Sequence, residues 1–312
     1  DVVHAHFWMS GVASTRAARR LPVPVVQTFP ALGTVKRRQQ GARDTSPPER
    51  IGFERRLCRR VDHVIATCRD EVAELLAMGL ARSRASVVPC GVDTTVFRPL
   101  GVAADPDPGV DRRTRPRLLS IGRLVERKGV GNVIEALASL PDVELVVAGG
   151  PARERLDGDP EVCRLRALAA RHGVAGRVVF TGSVARADVP GLMNGADLVV
   201  AVPWYEPFGI VPLEAMACGR AVVGSAVGGL LDTVVPGRTG ELVPPRRPDL
   251  LAPVLAALLA DPARRRAYGL AGRARAVERY QWSTVAERTE AVYAAVSAPA
   301  STAARAAAEV AR

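Results

Sequence analysis

Glu206 and Glu214 bracket the segment Glu206-Pro-Phe-Gly-Ile-Val-Pro-Leu-Glu214, with seven residues between them. Pro212 fits the first turn of a helix, so the segment reads as a helix entrance. Gly209 and Ile210 would then present free backbone amides to an anion ahead of that helix. Glu214, no more than a turn inside, could accept hydrogen bonds from sugar hydroxyls, and Glu206 would lie near the same ligand. Two carboxylates around a bound anion cost electrostatic energy unless they meet hydroxyls or a cationic centre. The plainer alternative is two surface acids at a capped helix start. Pro-Phe-Gly directly after a strand is an unusual entrance and weighs against it.

A second loop, Gly122-Arg-Leu-Val-Glu-Arg-Lys-Gly129, also runs from a strand into a helix. Gly122 lets the backbone turn at the sheet edge. Arg123 and Lys128 beside a helix N-terminus make a diphosphate site, because charge and oriented amides act together; taken alone, they could equally be two solvated cations in a turn. His4 and His6 share one face of the first strand. His6 sits at its carboxyl end, where a ligand would be, although a lone histidine is more often a satisfied polar residue. Gly149-Gly150 and Gly228-Gly229 follow strands too, and could admit a ligand or simply make tight turns.

The elements that must position these loops alternate. Short apolar runs at Val2–His6, Val23–Thr28, Val64–Thr67 and Ser86–Val88 read as buried strands, with helical patterns at Gly11–Arg20, Pro48–Val61 and Asp70–Met78 between them. A stretch rich in Pro, Asp, Gly and Arg follows. A second series has strands at Arg117–Ile121, Glu144–Ala148, Val178–Phe180, Leu198–Val202 and Ala221–Gly224. Its helices fall near Val130–Leu140, Glu161–His172, Asp188–Asn194 and Pro212–Cys218, with closing helices over Pro248–Ala260 and Pro262–Val296. Such alternation means parallel sheets covered on both faces. The reading is a partial N-terminal domain over 1–100, a linker at 101–116, a second domain over 117–280, and a closing helix with an Ala-rich tail over 281–312. Open α/β sheets bind ligands at the carboxyl ends of their strands.

The chain has 312 residues, 48% hydrophobic and 24% charged. That is globular composition with length for two cores; the abundant Ala and Arg fit a GC-rich, bacterial genome. Five scattered cysteines, none in a Cys-x-x-Cys pair, argue against a disulfide framework or a zinc site and favour a reducing cytoplasm. No run has the length of a membrane span, and no signal peptide opens the chain. It begins directly on Asp1-Val-Val-His, so the sequence reads as an N-terminally incomplete piece. Of the net charge of +11, residues 1–99 carry 16 cations against 9 anions, or +7. That excess would suit an anionic acceptor or peripheral contact with the inner membrane face, or is simply a solvated basic face.

Together these residues resemble the retaining glycosyltransferases of the GT-B fold, the group-1/family-4 type that includes mycothiol, phosphatidylinositol-mannoside and sucrose-phosphate sugar transferases. Val3-His-Ala-His6-Phe-Trp-Met-Ser-Gly, Pro89-Cys-Gly-Val-Asp93, Gly122-Arg-Leu with Lys128-Gly129, Glu206 through Glu214, and Gly237-Arg-Thr-Gly-Glu-Leu-Val-Pro-Pro245 fall in that family's order. The resemblance implies two doubly wound Rossmann-like domains facing a cleft, the first incomplete here. It implies transfer of a sugar from a nucleoside-diphosphate donor, UDP or GDP, to a small-molecule, lipid or glycan acceptor, with retention, no metal and no cofactor. Arg123 and Lys128 would bind the diphosphate, Glu214 the ribose, and Glu206 the transferred sugar. Gly209 and Ile210 would give amides, with Gly122, Phe208 and Val211 lining the donor. Val184 would meet the base through its backbone, and His6 the sugar near its reacting face. Pro30 stands where many relatives have histidine, which leaves the acceptor open.

Other readings fare less well. A nicotinamide oxidoreductase needs Gly-x-Gly-x-x-Gly at a strand-helix turn, and Gly129-Val-Gly131 lacks the third glycine. A sugar-nucleotide epimerase of the same fold, or a binding piece that transfers nothing, would share the donor loops. Nucleic-acid binding is not indicated, since the basic residues are not interleaved with aromatics.

Overall fold

The computed structural model describes residues 1–21, 23–100 and 115–298. The chain forms two compact units. Unit 1 is Asp1–Pro89 together with the segment from Ser283 onward; unit 2 is Cys90–Trp282. The linker expected at 101–116 and the Ala-rich tail lie mostly outside the described residues.

Unit 1 holds four parallel strands, β1 (Val3–His6), β2 (Val25–Thr28), β3 (His63–Ala66) and β4 (Ala85–Val87), in that spatial order. Val25, Val26, Val64 and Ile65 are buried, as a parallel sheet covered on its faces requires. Val285, Val292, Tyr293 and Val296 of the helix Trp282–Ser297 pack on Val26, Ile65 and Val88. The sequence reading gave closing helices over Pro262–Val296, with a domain boundary at 280/281. In the structure the helices part at Tyr280-Gln281, where Tyr280 is buried with its hydroxyl donating to the Asp232 carbonyl and Gln281 bridges to Val92. The apolar residues on either side of the break thus serve two different cores. The helix Gly33–Gln40 was missed, since its Lys-Arg-Arg-Gln-Gln run has no apolar period.

Unit 2 holds β5 (Arg117–Ile121), β6 (Glu144–Ala148), β7 (Val178–Gly182), β8 (Leu198–Ala201), β9 (Val222–Ser225) and β10 (Gly240–Val243). All pair in parallel, in the order β10-β9-β8-β5-β6-β7. Successive residues alternate between two cores: Leu118, Leu145, Leu198 and Val200 face one, and Leu119, Val146, Val199 and Val222 the other. Truncating one of these leucines to alanine costs roughly 2–5 kcal/mol. The four-residue β10 escaped the sequence reading. The strand order reverses between β5 and β8, and at such a switch point the loops leaving neighbouring strands part to open a crevice.

Candidate functional site

Because every strand of unit 2 runs the same way, the loops that follow them share one edge. The loop after β5 turns through Gly122 and a short 3-10 segment, Glu126–Lys128, and enters the helix Val130–Leu137 at Gly129. Gly129 has φ +76°, and a Cβ there would strike the Val202 carbonyl at the end of β8. Only glycine lets these two loops come so close. The Trp204 amide donates to the Arg127 carbonyl at 2.8 Å and fixes their register. The contact brings Lys128 Nζ onto Glu206 Oε2, an ion pair of two half-buried side chains. Arg123 is exposed, and its side chain forms no hydrogen bond or ion pair among the described residues.

Beyond Glu206 the chain turns through Phe208, which is buried, and Gly209, whose φ of +92° ends the loop. The helix Ile210–Ala217 then begins with no side-chain cap and no acid in its first turn, so its leading amides stay available to an anion. Ile210 is exposed and Val211 partly buried. Gly228-Gly229 presses under this turn from the loop after β9, and the Gly229 amide donates to the Glu206 carbonyl at 3.0 Å. Gly149, after β6, donates to the Gly182 carbonyl at 2.8 Å, and Ser183 donates to Pro151. That fixes the start of the loop carrying Val184, which is partly buried against the second core.

Glu214 is buried, 2% exposed, and desolvation raises its pKa against the opposing pull of Arg186. Its Oε1 forms an ion pair with Arg186 Nη1 at 2.5 Å. The Arg186 guanidinium rests 4.6 Å above the centre of the Phe97 ring. Arg186 was missing from the sequence reading. Its signal was weak but present: a cation in the loop after a strand, two residues beyond Val184.

Ten of the eleven residues singled out from sequence therefore lie along the edge of one sheet. The eleventh, His6, belongs to unit 1. It is exposed at the carboxyl end of β1, next to Phe7, whose φ of +71° is strained for a residue other than glycine. The Phe7 carbonyl accepts from Gln27 Nε2, and the Arg50 guanidinium lies 4.9 Å over its ring. His4, on the same face, is a scaffold residue. Thr28 donates its hydroxyl hydrogen to Ile65, so it accepts from His4 Nε2, and His4 Nδ1 accepts from the Tyr293 hydroxyl at 2.6 Å. Burial and then the neighbouring His6 pull His4 down to about 4.

The family of known proteins follows from this sheet and its loops. Residues 105–275 match the model of glycosyl transferases group 1, and residues 1–96 that of glycosyltransferase family 4. The chain belongs to the group 1 glycosyltransferases, a family of transferase enzymes with two Rossmann-like α/β domains. It is 38% identical over 306 residues to a D-inositol 3-phosphate glycosyltransferase of Xylanimonas cellulosilytica, covering 94% of this chain and 72% of that one. It is 36% identical over 274 residues to the enzyme of that name from Mycolicibacterium paratuberculosis, covering 84% of this chain and 59% of that one. Among solved structures, sucrose-phosphate synthase of Thermosynechococcus elongatus superposes with a TM-score of 0.84 at 31% identity, over 94% of this chain and 72% of that one. HepE of Anabaena, solved with UDP, shares the fold with a TM-score of 0.83 at 24% identity, over 95% of this chain and 79% of that one. No helix among the described residues is long and apolar enough to cross a membrane.

Proposed function

We propose that this chain carries a retaining, metal-independent transfer of a sugar from a nucleoside-diphosphate donor to an acceptor hydroxyl. The observation that carries the reading is the meeting of Lys128 and Glu206 beside the uncapped start of the helix Ile210–Ala217. A diphosphate arriving there draws Lys128 off Glu206. The ammonium exchanges one carboxylate for a group of higher charge, and Glu206 is released to accept from sugar hydroxyls. Arg123 and the leading helix amides complete the neutralisation, an electrostatic stabilisation of the departing nucleotide that does without a metal ion. Glu214 accepts from the ribose, the Val184 backbone meets the base, and His6 of unit 1 contributes to transfer.

The donor nucleoside is uridine or guanosine; HepE was solved with UDP, so uridine is the first to test. The relatives' names make a phosphorylated inositol the first acceptor to try, and the +7 charge of residues 1–99 suits an anionic one. The experiment is incubation of the protein with UDP- and GDP-sugars and inositol phosphate, with and without EDTA, followed by NMR of the product. An α-linked product from an α-donor, unchanged by EDTA, is expected. An inverted linkage or loss of turnover in EDTA contradicts the mechanism, and an epimerised donor without transfer contradicts the reaction class.

A further inference from the structure

Arg186 lies two residues beyond Val184 on the loop after β7, yet the donor reading gives it no role. We propose that Arg186 is a positioning residue of the donor site, holding Glu214 ionised and turned as the hydroxyl acceptor for the ribose of a nucleoside diphosphate. The inference rests on the reading of this sheet edge as the donor site.

Three observations carry it. Glu214 is 2% exposed, so its charged form is desolvated and needs a cation. Arg186 is that cation, 2.5 Å from Oε1, although its own side chain is 68% exposed and surrounded by solvent. An exposed arginine has no need of a buried acid; the Phe97 ring beneath it, 4.6 Å away, holds it over this one. Finally, no side-chain donor other than Arg186 reaches the Glu214 carboxylate among the described residues. A carboxylate accepts about four hydrogen bonds. This one is balanced in charge by Arg186 but has most of its acceptor capacity unspent, which a vicinal diol donating two hydroxyls would use. A protonated Glu214 would present a donor where both partners donate.

Among the other charged groups around this helix, Arg220 reaches the Ala196 carbonyl and Asn194. On the helix Pro262–Arg279, Arg273 donates to the carbonyls of Thr94, Phe97 and Ala217, and Arg275 to those of Asp232 and Thr233. Asp232 lies on the short helix Leu230–Thr233 and Asp188 just ahead of the helix Val189–Asn194, while β8 and β9 carry no charge. Glu206 is paired with Lys128, and the Cys218 thiol at the helix end is pushed up to about 12, chiefly by burial. Arg186 is the group that acts on Glu214.

The test is calorimetric titration of the whole chain with UDP, GDP and ADP, for the wild type, Arg186→Ala, Arg186→Lys, Glu214→Gln and the Arg186→Ala/Glu214→Gln double variant. Arg186→Ala should bind roughly ten-fold more weakly at the acid end of a pH series and recover as the pH rises and Glu214 loses its proton without help. Arg186→Lys should restore binding. In the Glu214→Gln background the alanine change should make no further difference. Equal binding by wild type and Arg186→Ala at every pH overturns the role of Arg186 and leaves the donor site standing, as does an equal loss in the Glu214→Gln background. A wild type that binds none of the three nucleotides overturns the donor site itself.

Discussion

Each unit buries a glutamate beside an arginine, and the two pairs are built to different ends. In unit 1, Glu54 and Arg50 are both buried. Glu54 Oε1 accepts from Arg50 Nε at 2.7 Å and Oε2 from the Gly33 amide at 2.8 Å, while Arg50 also reaches Ser46 and the Ala31 carbonyl. Every partner is satisfied, and the pair ties the loop after β2 to the helix Arg50–Arg60. In unit 2, Glu214 is buried but Arg186 is exposed, and no other side-chain donor reaches the carboxylate among the described residues. A satisfied pair is a strut, whereas an unsatisfied one in a crevice has something left to bind. Lys128 and Glu206 differ from both, a hydrogen-bonded pair of half-buried side chains that a more highly charged ligand would rearrange.

That comparison can be broken in several ways. The largest effect is expected at the exchanging pair: Lys128→Ala and Glu206→Ala should each lower transfer by about 10²–10³ or more with the thermal melt unchanged, as for removal of other transition-state donors. Near-normal turnover by either variant would remove them from the site. Next come the two buried glutamates. Glu54→Ala strands the Arg50 charge and should cost about 3–5 kcal/mol in denaturant unfolding. Glu214→Ala leaves an exposed arginine and should change stability by less than about 1 kcal/mol, or raise it. Equal losses at both positions would erase the distinction.

A third buried acid sharpens it through pH. Burial pushes Glu71 up to about 7, against hydrogen bonds from the Thr67 amide and hydroxyl. The folded chain therefore holds a proton that the unfolded chain has lost between about 4.5 and 7. The stability this contributes is present in full below about 4.5 and declines as pH rises through 7, by up to about 3 kcal/mol. His4 acts the other way. Its folded value near 4 means stability is lost as pH falls from about 6.5. The Glu71→Gln variant should remove the first slope and leave the second, which unfolding midpoints across that pH range would read. The smallest effect is expected at Arg246, whose guanidinium lies 3.8 Å over the Trp204 ring. Arg246→Ala should cost no more than about 1 kcal/mol in the melt; a larger loss would make that contact part of the scaffold under Glu206.

The loops of the candidate site were legible in the sequence because a parallel sheet sends all its strand ends one way. Gly122, Lys128, Gly209 and Glu214 could be assigned to one edge from alternation alone. Which loops touch was not legible. The Lys128–Glu206 pair depends on β5 lying against β8, a strand order that no local pattern encodes. Arg186 was hidden among 43 basic residues, and only the burial of Glu214 distinguishes it from its neighbours. In unit 1 the strained Phe7 gave no signal, since its conformation is imposed by Gln27 and Arg50 from distant positions. The return of the last helix to the first sheet was equally silent, because both sides of Tyr280 have helical periodicity.

The central claim, that the edge of the unit 2 sheet binds a nucleoside diphosphate carrying a sugar, is tested most directly by thermal shift. The wild type and Lys128→Ala would be melted with a panel of UDP-, GDP- and ADP-sugars. The account predicts that one nucleotide class stabilises the wild type by several degrees and leaves Lys128→Ala unmoved. A wild type that no member of the panel stabilises, or a Lys128→Ala variant stabilised as much as the wild type, would contradict it.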